Sequence, residues 1–150
     1  MNKSIRKAVR CFLIKDDKVV AIRYNEGKNK DYYDIPGGKI EENETSIQAA
    51  IREFKEETGI EIINPIEIGK AYIECPNIIF DLDLFIVHEY IGEKQKFYEN
   101  DSVWIEIDNL LNQEKILPTI ELLKYINKDN KINIKISSDE KHKIESVILL

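Results

Sequence analysis

Residues 38–60 read GKIEENETSIQAAIREFKEETGI, and this stretch decides the fold predicted for the whole chain. Gly38 at its start and Gly37 just before it permit an unusual backbone path, whereas the residues that follow favour a helix. Thr45 is a plausible N-cap, Ser46 could serve equally, and Gly59 is a natural C-terminal stop. The stretch therefore predicts a glycine turn followed by one short helix.

At about 100° per residue, this helix has an apolar stripe and, beside it, an acidic arc. The stripe comprises Ile47, Ala50, Ile51 and Phe54, and the arc comprises Glu53, Glu56 and Glu57. Two like charges four residues apart cost a few tenths of a kcal/mol in an exposed helix, so helix stability does not explain the arc. A solvated acidic face is one interpretation. The other is a bound hard cation such as Mg²⁺, which takes oxygen ligands.

The composition fits one globular domain spanning residues 1–150, because a chain of this length with 43% hydrophobic residues can bury a sizeable core. The formal net charge of −6 argues against nucleic acid or an anionic membrane as the partner. The apolar run 11–14 is too short for a signal-peptide core or a membrane span. We therefore expect a cytoplasmic protein, and its oligomeric state stays open.

The two cysteines, Cys11 and Cys75, lack the spacing of metal ligands and lie in apolar surroundings. Two buried free thiols are therefore predicted, without a disulfide.

Strand-like and helix-like segments alternate along the chain. A hairpin is predicted from 5–14 and 19–24 around the KDDK turn, with further strands at 66–74, 78–87 and 103–107. The segment LPTIELLKYI at 117–126 has helical apolar spacing, and a C-terminal strand or hairpin is expected from about residue 131. The pattern indicates a mixed α/β architecture.

The spacing within residues 38–60 resembles the signature of the Nudix hydrolase family. The matching positions are Gly38, Glu44, Arg52, Glu53, apolar Phe54, Glu56, Glu57, Gly59 and apolar Ile60. The resemblance implies a Nudix fold, which is α/β with a mixed β-sheet sandwiched between α-helices. It also implies hydrolysis of a nucleoside diphosphate linked to another group, with Mg²⁺ as cofactor and Mn²⁺ as an alternative.

The same resemblance implies roles for individual residues. Glu53, Glu56 and Glu57 would bind the cation, joined by the backbone carbonyl of Gly37, with Gly38 as the alternative. Arg52 and Glu44 would orient these ligands; an ordinary surface ion pair is the simpler interpretation and would contribute only about 0 to 1 kcal/mol.

The general base is placed by the resemblance either on this helix or on a later loop. Glu99, in the segment FYENDSVW, is our favoured base, slightly ahead of Glu53. Glu93 and Asp101 lie in the same polar loop and remain alternatives. A base must reach the attacking water by a hydrogen bond, which sequence cannot establish.

Substrate contacts are less specific in the sequence. Arg23 resembles a family position that can contact phosphate, and Lys39 could do likewise, although solvent exposure is the usual fate of both residue types. Tyr32 and Tyr33 could stack on a base, but packing is the commoner role.

Three functions follow as hypotheses, each with a nucleotide-type small molecule as partner. The first is hydrolysis of a nucleoside triphosphate, including oxidised ones, to a monophosphate and pyrophosphate. The second is hydrolysis of ADP-ribose or a nucleotide sugar, for which a proline resembling Pro76 is a weak signal. The third is a non-catalytic nucleotide-binding Nudix domain.

Overall fold

A computed structural model describes residues 3–95, 97 and 99–150. The strands are β1 Ser4–Lys15, β2 Lys18–Tyr24, β3 Tyr33–Asp34, β4 Gly37–Lys39, β5 Glu61–Ile63, β6 Ile66–Glu74, β7 Ile78–Val87, β8 Glu89–Ile91, β9 Asn100–Glu106, β10 Ile132–Ser138 and β11 Ile144–Leu149. The helices are α1 Ser46–Thr58, α2 Ile107–Leu111 and a 3₁₀ helix, Pro118–Lys124.

The N-terminal hairpin predicted from the sequence is confirmed. β1 and β2 pair antiparallel, with Ile14 opposite Val19. Asp16 and Asp17 between them have positive φ angles of 52° and 64°. Positive φ at both central residues is characteristic of a type I′ turn, whose twist matches that of the flanking strands.

The main sheet is mixed, in the order β11-β10-β6-β7-β1-β2-β3, with β4 also paired to β1 and β9 to β2. Its parallel pairs are β1 with β7 and β6 with β10. A second, two-stranded sheet joins β5 to β8. The expected mixed α/β sheet is therefore confirmed.

The sheet has a hydrophobic core on each face. α1 packs on one face against Val9, Cys11 and Phe85. The 3₁₀ helix and α2 cover the other face, where Phe12 and Leu82 are buried. The sheet is thus sandwiched between helical elements, as the family resemblance implied. No helix in the described part of the chain is long and apolar enough to span a membrane.

Two local expectations differ from the structure, and one short helix was not expected. The segment predicted as a helix at 117–126 forms a 3₁₀ helix, which starts at Pro118 and is shorter. The short helix α2 was not predicted. Cys75 is only partly buried, whereas Cys11 is buried as expected, and both thiols are free.

Strand β1 has two different antiparallel partners along its length. Its central part pairs with β4, with Arg10 opposite Gly37, whereas its end pairs with β2. Between them, the backbone N–H of Cys11 donates to the carbonyl of Pro36 at 2.9 Å. The glycine turn is therefore held directly beside the buried middle of β1.

Candidate functional site

Helix α1 is capped at both ends by its own sequence. Thr45 is the N-cap, and its side chain accepts from the backbone N–H of Gln48, whose own side chain accepts from the N–H of Thr45. Gly59 adopts the left-handed conformation at the C-terminal end, where its N–H donates to the carbonyl of Lys55 at 2.8 Å. These caps fix the helix, and with it the acidic side chains.

The inward face of α1 differs from the predicted apolar stripe. Ala49, Ala50 and Phe54 are fully buried, whereas Ile47 is 48% exposed. At about 100° per residue, the buried arc is centred on Glu53 and Glu57, not beside them. The prediction for Ile47 was wrong because the small alanines, not the isoleucine, face the sheet. The Glu53 and Glu57 side chains are thereby partly buried.

Glu57 is the most strongly perturbed of these carboxylates. Its Oε1 accepts from the backbone N–H of Gly37 at 2.7 Å. Burial raises the pKa of Glu57 to about 8, against the Gly37 N–H and the Arg10 charge, which lower it, while Asp34 and Glu53 add to the rise. The metal-free site therefore disfavours the charged form of this side chain.

Glu53 lies against the glycine turn. A Cβ atom added at Gly38 would come within 2.6 Å of the Glu53 carboxyl group, so only glycine allows this approach. Burial raises the pKa of Glu53 and the Glu56 charge adds to this, although the hydrogen bond and charge of Arg52 oppose the rise. Glu53 and Glu57 thus both contact the turn that the sequence analysis singled out.

Arg52 connects the acidic residues. Its Nε and Nη2 donate to both carboxylate oxygens of Glu44, at 2.7 and 2.8 Å. Its Nη1 donates to Glu53 at 2.9 Å and to Glu56 at 3.3 Å. The hydrogen bonds from Arg52 hold the pKa of Glu44 at about 2, and the Glu41 N–H contributes. A bidentate pair of this kind fixes orientation as well as charge.

The donors at this site suit a hard divalent cation, although the described residues contain no preformed cluster of three His, Cys, Asp or Glu side chains that could hold one. Glu53 and Glu57 supply oxygen ligands next to the glycine turn, and burial, more than neighbouring charge, raises the pKa of each. Glu56 is exposed and bound to Arg52. It would have to exchange Arg52 for the cation to join the ligand set.

Alanine substitutions at Gly37 and Gly38 should separate an effect on metal binding from an effect on folding stability. Gly38→Ala should displace the flexible Glu53 carboxylate, so we expect apparent Mg²⁺ affinity in turnover to fall about 10- to 100-fold with little change in unfolding free energy. Gly37→Ala would overlap the backbone carbonyl of Val9 in the paired strand, so it should destabilise the fold, by roughly 1–3 kcal/mol. Urea unfolding and Mg²⁺ titration of each variant measure both effects. Equal loss of stability in the two variants would contradict this separation.

The favoured base, Glu99, is exposed at a bend immediately before β9. Its backbone carbonyl accepts from the N–H of Asn25 at 2.9 Å. The next residue, Asn100, is buried, and its side-chain amide donates to the backbone carbonyl of Glu57 at 3.1 Å. The loop that carries Glu99 is therefore tied to the end of α1 beside the acidic residues. Asp101, an alternative base, accepts from the side-chain amide of Asn25 at 3.5 Å.

The two predicted phosphate contacts, Arg23 and Lys39, both have solvent-accessible side chains. Arg23 is 42% exposed and pairs with Asp31 at 3.1 Å. The Lys39 side chain is exposed, whereas its backbone carbonyl accepts from Arg52 at 3.0 Å. Both lysine and arginine remain candidates for outer contacts with an anion.

A cavity of about 450 Å³ lies on the sheet face opposite α1, and it was not foreseen from the sequence. Its lining comes from β1, β3, β6, β7, the loops after β2 and β6, the 3₁₀ helix and the β10–β11 turn, and it includes Arg10, Asp34, Pro76, Phe80 and His142. Arg10 is opposite Gly37 in the strand register, so the cavity adjoins the glycine turn. This volume is within the usual range of small-molecule sites.

Arg10 and Asp34 are the functional candidates that sequence reasoning missed. The Nε of Arg10 lies 3.7 Å from Asp34 and is buried without a hydrogen bond within the described structure. Burial lowers the pKa of Arg10, but the negative charge of Asp34 and other neighbours outweighs it, and the pKa is raised overall. Asp34 also accepts from the hydroxyl groups of Tyr24, at 2.7 Å, and Thr119. A lone arginine in a strand carries no sequence signal that it will be buried. For Asp34, the only available signal was its position in the DIPGG segment, directly before the glycine turn.

The chain resembles known proteins in sequence. The 8-oxo-dGTP diphosphatase of Haemophilus influenzae is 34% identical over 73 residues, which cover 49% of this chain and 54% of that protein. The ADP-ribose pyrophosphatase of Methanocaldococcus jannaschii is 40% identical over 53 residues, covering 35% of this chain and 31% of that one. The chain therefore spans about half or less of the length of these relatives.

The fold has a close counterpart among solved structures. The crystal structure of a MutT protein from Bacillus halodurans superimposes with a TM-score of 0.81 at 21% identity, over 96% of this chain and 97% of that one. The family model described as NUDIX domain matches residues 4–123, which include the glycine turn, α1 and Glu99. Members of this family generally use a divalent metal. The chain belongs to the NUDIX domain family.

Proposed function

We propose that this protein is a Nudix pyrophosphohydrolase that cleaves a nucleoside triphosphate, including oxidised forms, to the monophosphate and pyrophosphate with Mg²⁺ as cofactor. The observation that carries the proposal is the proximity of two features. The partly buried Glu57 accepts from the backbone N–H of Gly37, and Arg10, which is paired with Gly37 in the sheet, lines a cavity of small-molecule size. The likeness to an 8-oxo-dGTP diphosphatase supports this substrate class.

Charge at the site fits a substrate with a polyphosphate chain. Glu53, Glu56 and Glu57 would hold the cation together with the carbonyl of Gly37. When bound, the cation would offset phosphate charge and lower the pKa of a coordinated water. Arg10 supplies a buried positive charge between the cavity and Glu57. An acidic protein can thereby accept an anionic substrate at one place on its surface.

In this proposal, Arg52 positions a metal ligand and Glu99 accepts the proton of the attacking water. Arg52, fixed by Glu44 and by the Lys39 carbonyl, orients Glu53. Glu99 accepts a proton from the water that attacks phosphorus as the phosphoanhydride bond breaks, with Glu53 as the alternative acceptor. The nucleoside would occupy the cavity, where Phe80 and the neighbouring apolar residues exclude water.

Hydrolysis of ADP-ribose or a nucleotide sugar is the second candidate function. It is favoured by the position of Pro76, which lines the cavity, and by the likeness to an ADP-ribose pyrophosphatase. The same carboxylates would serve either substrate. The two functions differ in the group on the far side of the diphosphate from the nucleoside, which is a sugar in the second function and a phosphate in the first.

A substrate panel tests the proposal. Purified protein is assayed with the four deoxynucleoside triphosphates, 8-oxo-dGTP, ADP-ribose and nucleotide sugars, each with Mg²⁺ and with a chelator. We expect Mg²⁺-dependent turnover of a triphosphate, with pyrophosphate as the released product. Release of inorganic phosphate, or turnover that persists in chelator, would contradict the proposal. Turnover confined to ADP-ribose would select the second function.

A further inference from the structure

The turn between β10 and β11 forms part of the cavity wall. Asp139, Glu140 and His142 from this turn all line the cavity. The turn is compact because Asp139 accepts from two backbone N–H groups that follow it in the chain, at 2.8 and 2.9 Å. It lies beyond the residues matched by the family model, so membership of the family assigns it no role.

His142 is held in place at this wall. Its ring meets that of Tyr32 edge-on, with centroids 5.1 Å apart and an interplanar angle of 65°. Tyr32 comes from the loop before β3 and is not among the residues that line the cavity, so it supports the imidazole from outside. The backbone of His142 is left-handed, with φ of 65°, and its N–H donates to the Asp139 carbonyl at 3.2 Å.

The chemistry of the turn suits an uncharged, planar group. Burial and the nearby Lys28 lower the pKa of His142, against the opposing charges of Asp139 and Asp34, which favours the neutral ring. A neutral imidazole offers one donor and one acceptor nitrogen. The other lining residues of the turn, Asp139 and Glu140, are acids that would repel phosphate. The cations that line the cavity come from other elements, among them Arg10 beside the carboxylates.

We propose that His142 contacts the nucleobase of the bound nucleotide and that the β10–β11 turn thereby helps to determine which base the enzyme accepts. This inference rests on the proposed nucleotide-hydrolase function. It places the base beneath the turn and the phosphate chain towards Arg10 and the glycine turn. Aromatic and hydrogen-bonding contacts to a base are the usual means by which proteins recognise single nucleotides.

The chain has two histidines, which makes a direct test simple. His88 is exposed at the end of β7 and does not line the cavity, so its ring signals serve as an internal reference in NMR spectra. Protein with Mg²⁺ is titrated with each of dGMP, dAMP, dCMP and dTMP, and separately with pyrophosphate. We expect saturable shifts of the His142 ring signals with at least one nucleotide, none with pyrophosphate, and none at His88.

A variant adds a second measurement. His142→Asn removes the ring but tolerates the left-handed backbone, because asparagine adopts that conformation readily. We expect KM to rise roughly 5- to 10-fold for the preferred base, the low end for an aromatic contact with a base, with kcat nearly unchanged. Lys141→Ala, on the same turn but exposed and not lining the cavity, is the matched control and should leave KM unchanged.

The outcomes separate this inference from the proposed function. Nucleotide shifts at the amides of β1 and the glycine turn without any at His142 would overturn the inference and leave the function standing. So would an equal shift of His142 by pyrophosphate, or an equal rise of KM in the Lys141→Ala control. Nucleotides that shift no signal at all would contradict the proposed function and this inference together.

Discussion

Glu57→Gln is expected to lower turnover at limiting Mg²⁺ by about 100-fold or more while the protein stays folded. Loss of a residue that merely supports a metal ligand costs about 10- to 100-fold, so loss of an anionic ligand should reach at least the upper end. The glutamine oxygen can still accept the Gly37 N–H, which preserves the local geometry. Initial rates across a Mg²⁺ series, with thermal melts of the same samples, measure both properties.

The same variant should change how stability depends on pH. The folded pKa of Glu57 is about 8 and its ordinary value is 4.5, so between these pH values the folded metal-free protein binds more protons than the unfolded chain. The free energy of unfolding therefore falls as pH rises through this window, by at most about 1.4 kcal/mol per pH unit from this group. Below pH 4.5 protonated Glu57 makes its full contribution to the free energy of unfolding. Glu57→Gln should flatten the decline.

Glu42→Gln is the matched control for both measurements, because Glu42 is exposed in the loop before α1. It removes the same charge and should retain wild-type turnover and wild-type pH dependence. Mg²⁺ should raise the melting temperature of the wild type and of this control at pH 8, but not that of Glu57→Gln. Wild-type turnover by Glu57→Gln at limiting Mg²⁺ would remove Glu57 from the ligand set.

Glu99→Gln should lower kcat by roughly 10²- to 10⁴-fold, the range for a positioned general base, and added Mg²⁺ should restore little of it. The reason is that an amide cannot accept the proton of the attacking water. Single-turnover kinetics at saturating substrate, across a series of Mg²⁺ concentrations, would isolate the chemical step. Folding should be unaffected because the Glu99 side chain is exposed.

Glu53→Gln provides the comparison, since a residue that both binds the cation and accepts the proton should show both defects. Recovery of Glu99→Gln at high Mg²⁺ would make Glu99 chiefly a ligand. Near-normal kcat in Glu99→Gln, with chemistry shown to limit the rate, would reject it as the base and favour Glu53 or another loop acid. Glu93, which is exposed in the preceding loop, is one such alternative, so Glu93→Gln is measured in the same way.

The local part of the site was predictable because its signals lie within 23 consecutive residues. Caps, glycines and carboxylate spacing all act over one to four positions, so the caps Thr45 and Gly59 and the grouping of Glu53 with Glu57 follow from short-range rules. The exposure of Ile47 did not follow, because the rotation of α1 depends on how closely the sheet approaches Ala49 and Ala50. Tertiary packing selected the face of α1 that is buried.

The cavity was not predictable by the same means. Its wall combines Arg10, Asp34, Thr119 and His142, which are brought together by sheet pairings between distant parts of the chain. A strand arginine and a tail histidine look like solvent-exposed residues when their neighbours are unknown. The favoured phosphate contact, Arg23, shows the reverse case, because it lies in a strand yet pairs with Asp31 near the surface.

The parallel pairing of β1 with β7 has a consequence for synthesis of the chain. Ser4 pairs with Ile78, so the first strand cannot find its partner until more than half of the protein has been made. At about 5 to 20 residues per second, the ribosome needs roughly 4 to 15 s to supply the missing strand. During that interval the apolar faces of the β1–β2 hairpin and α1 have no sheet to cover them. Apolar surface of the nascent chain is therefore exposed until β7 has been made, and slow translation before residue 78 would prolong that exposure.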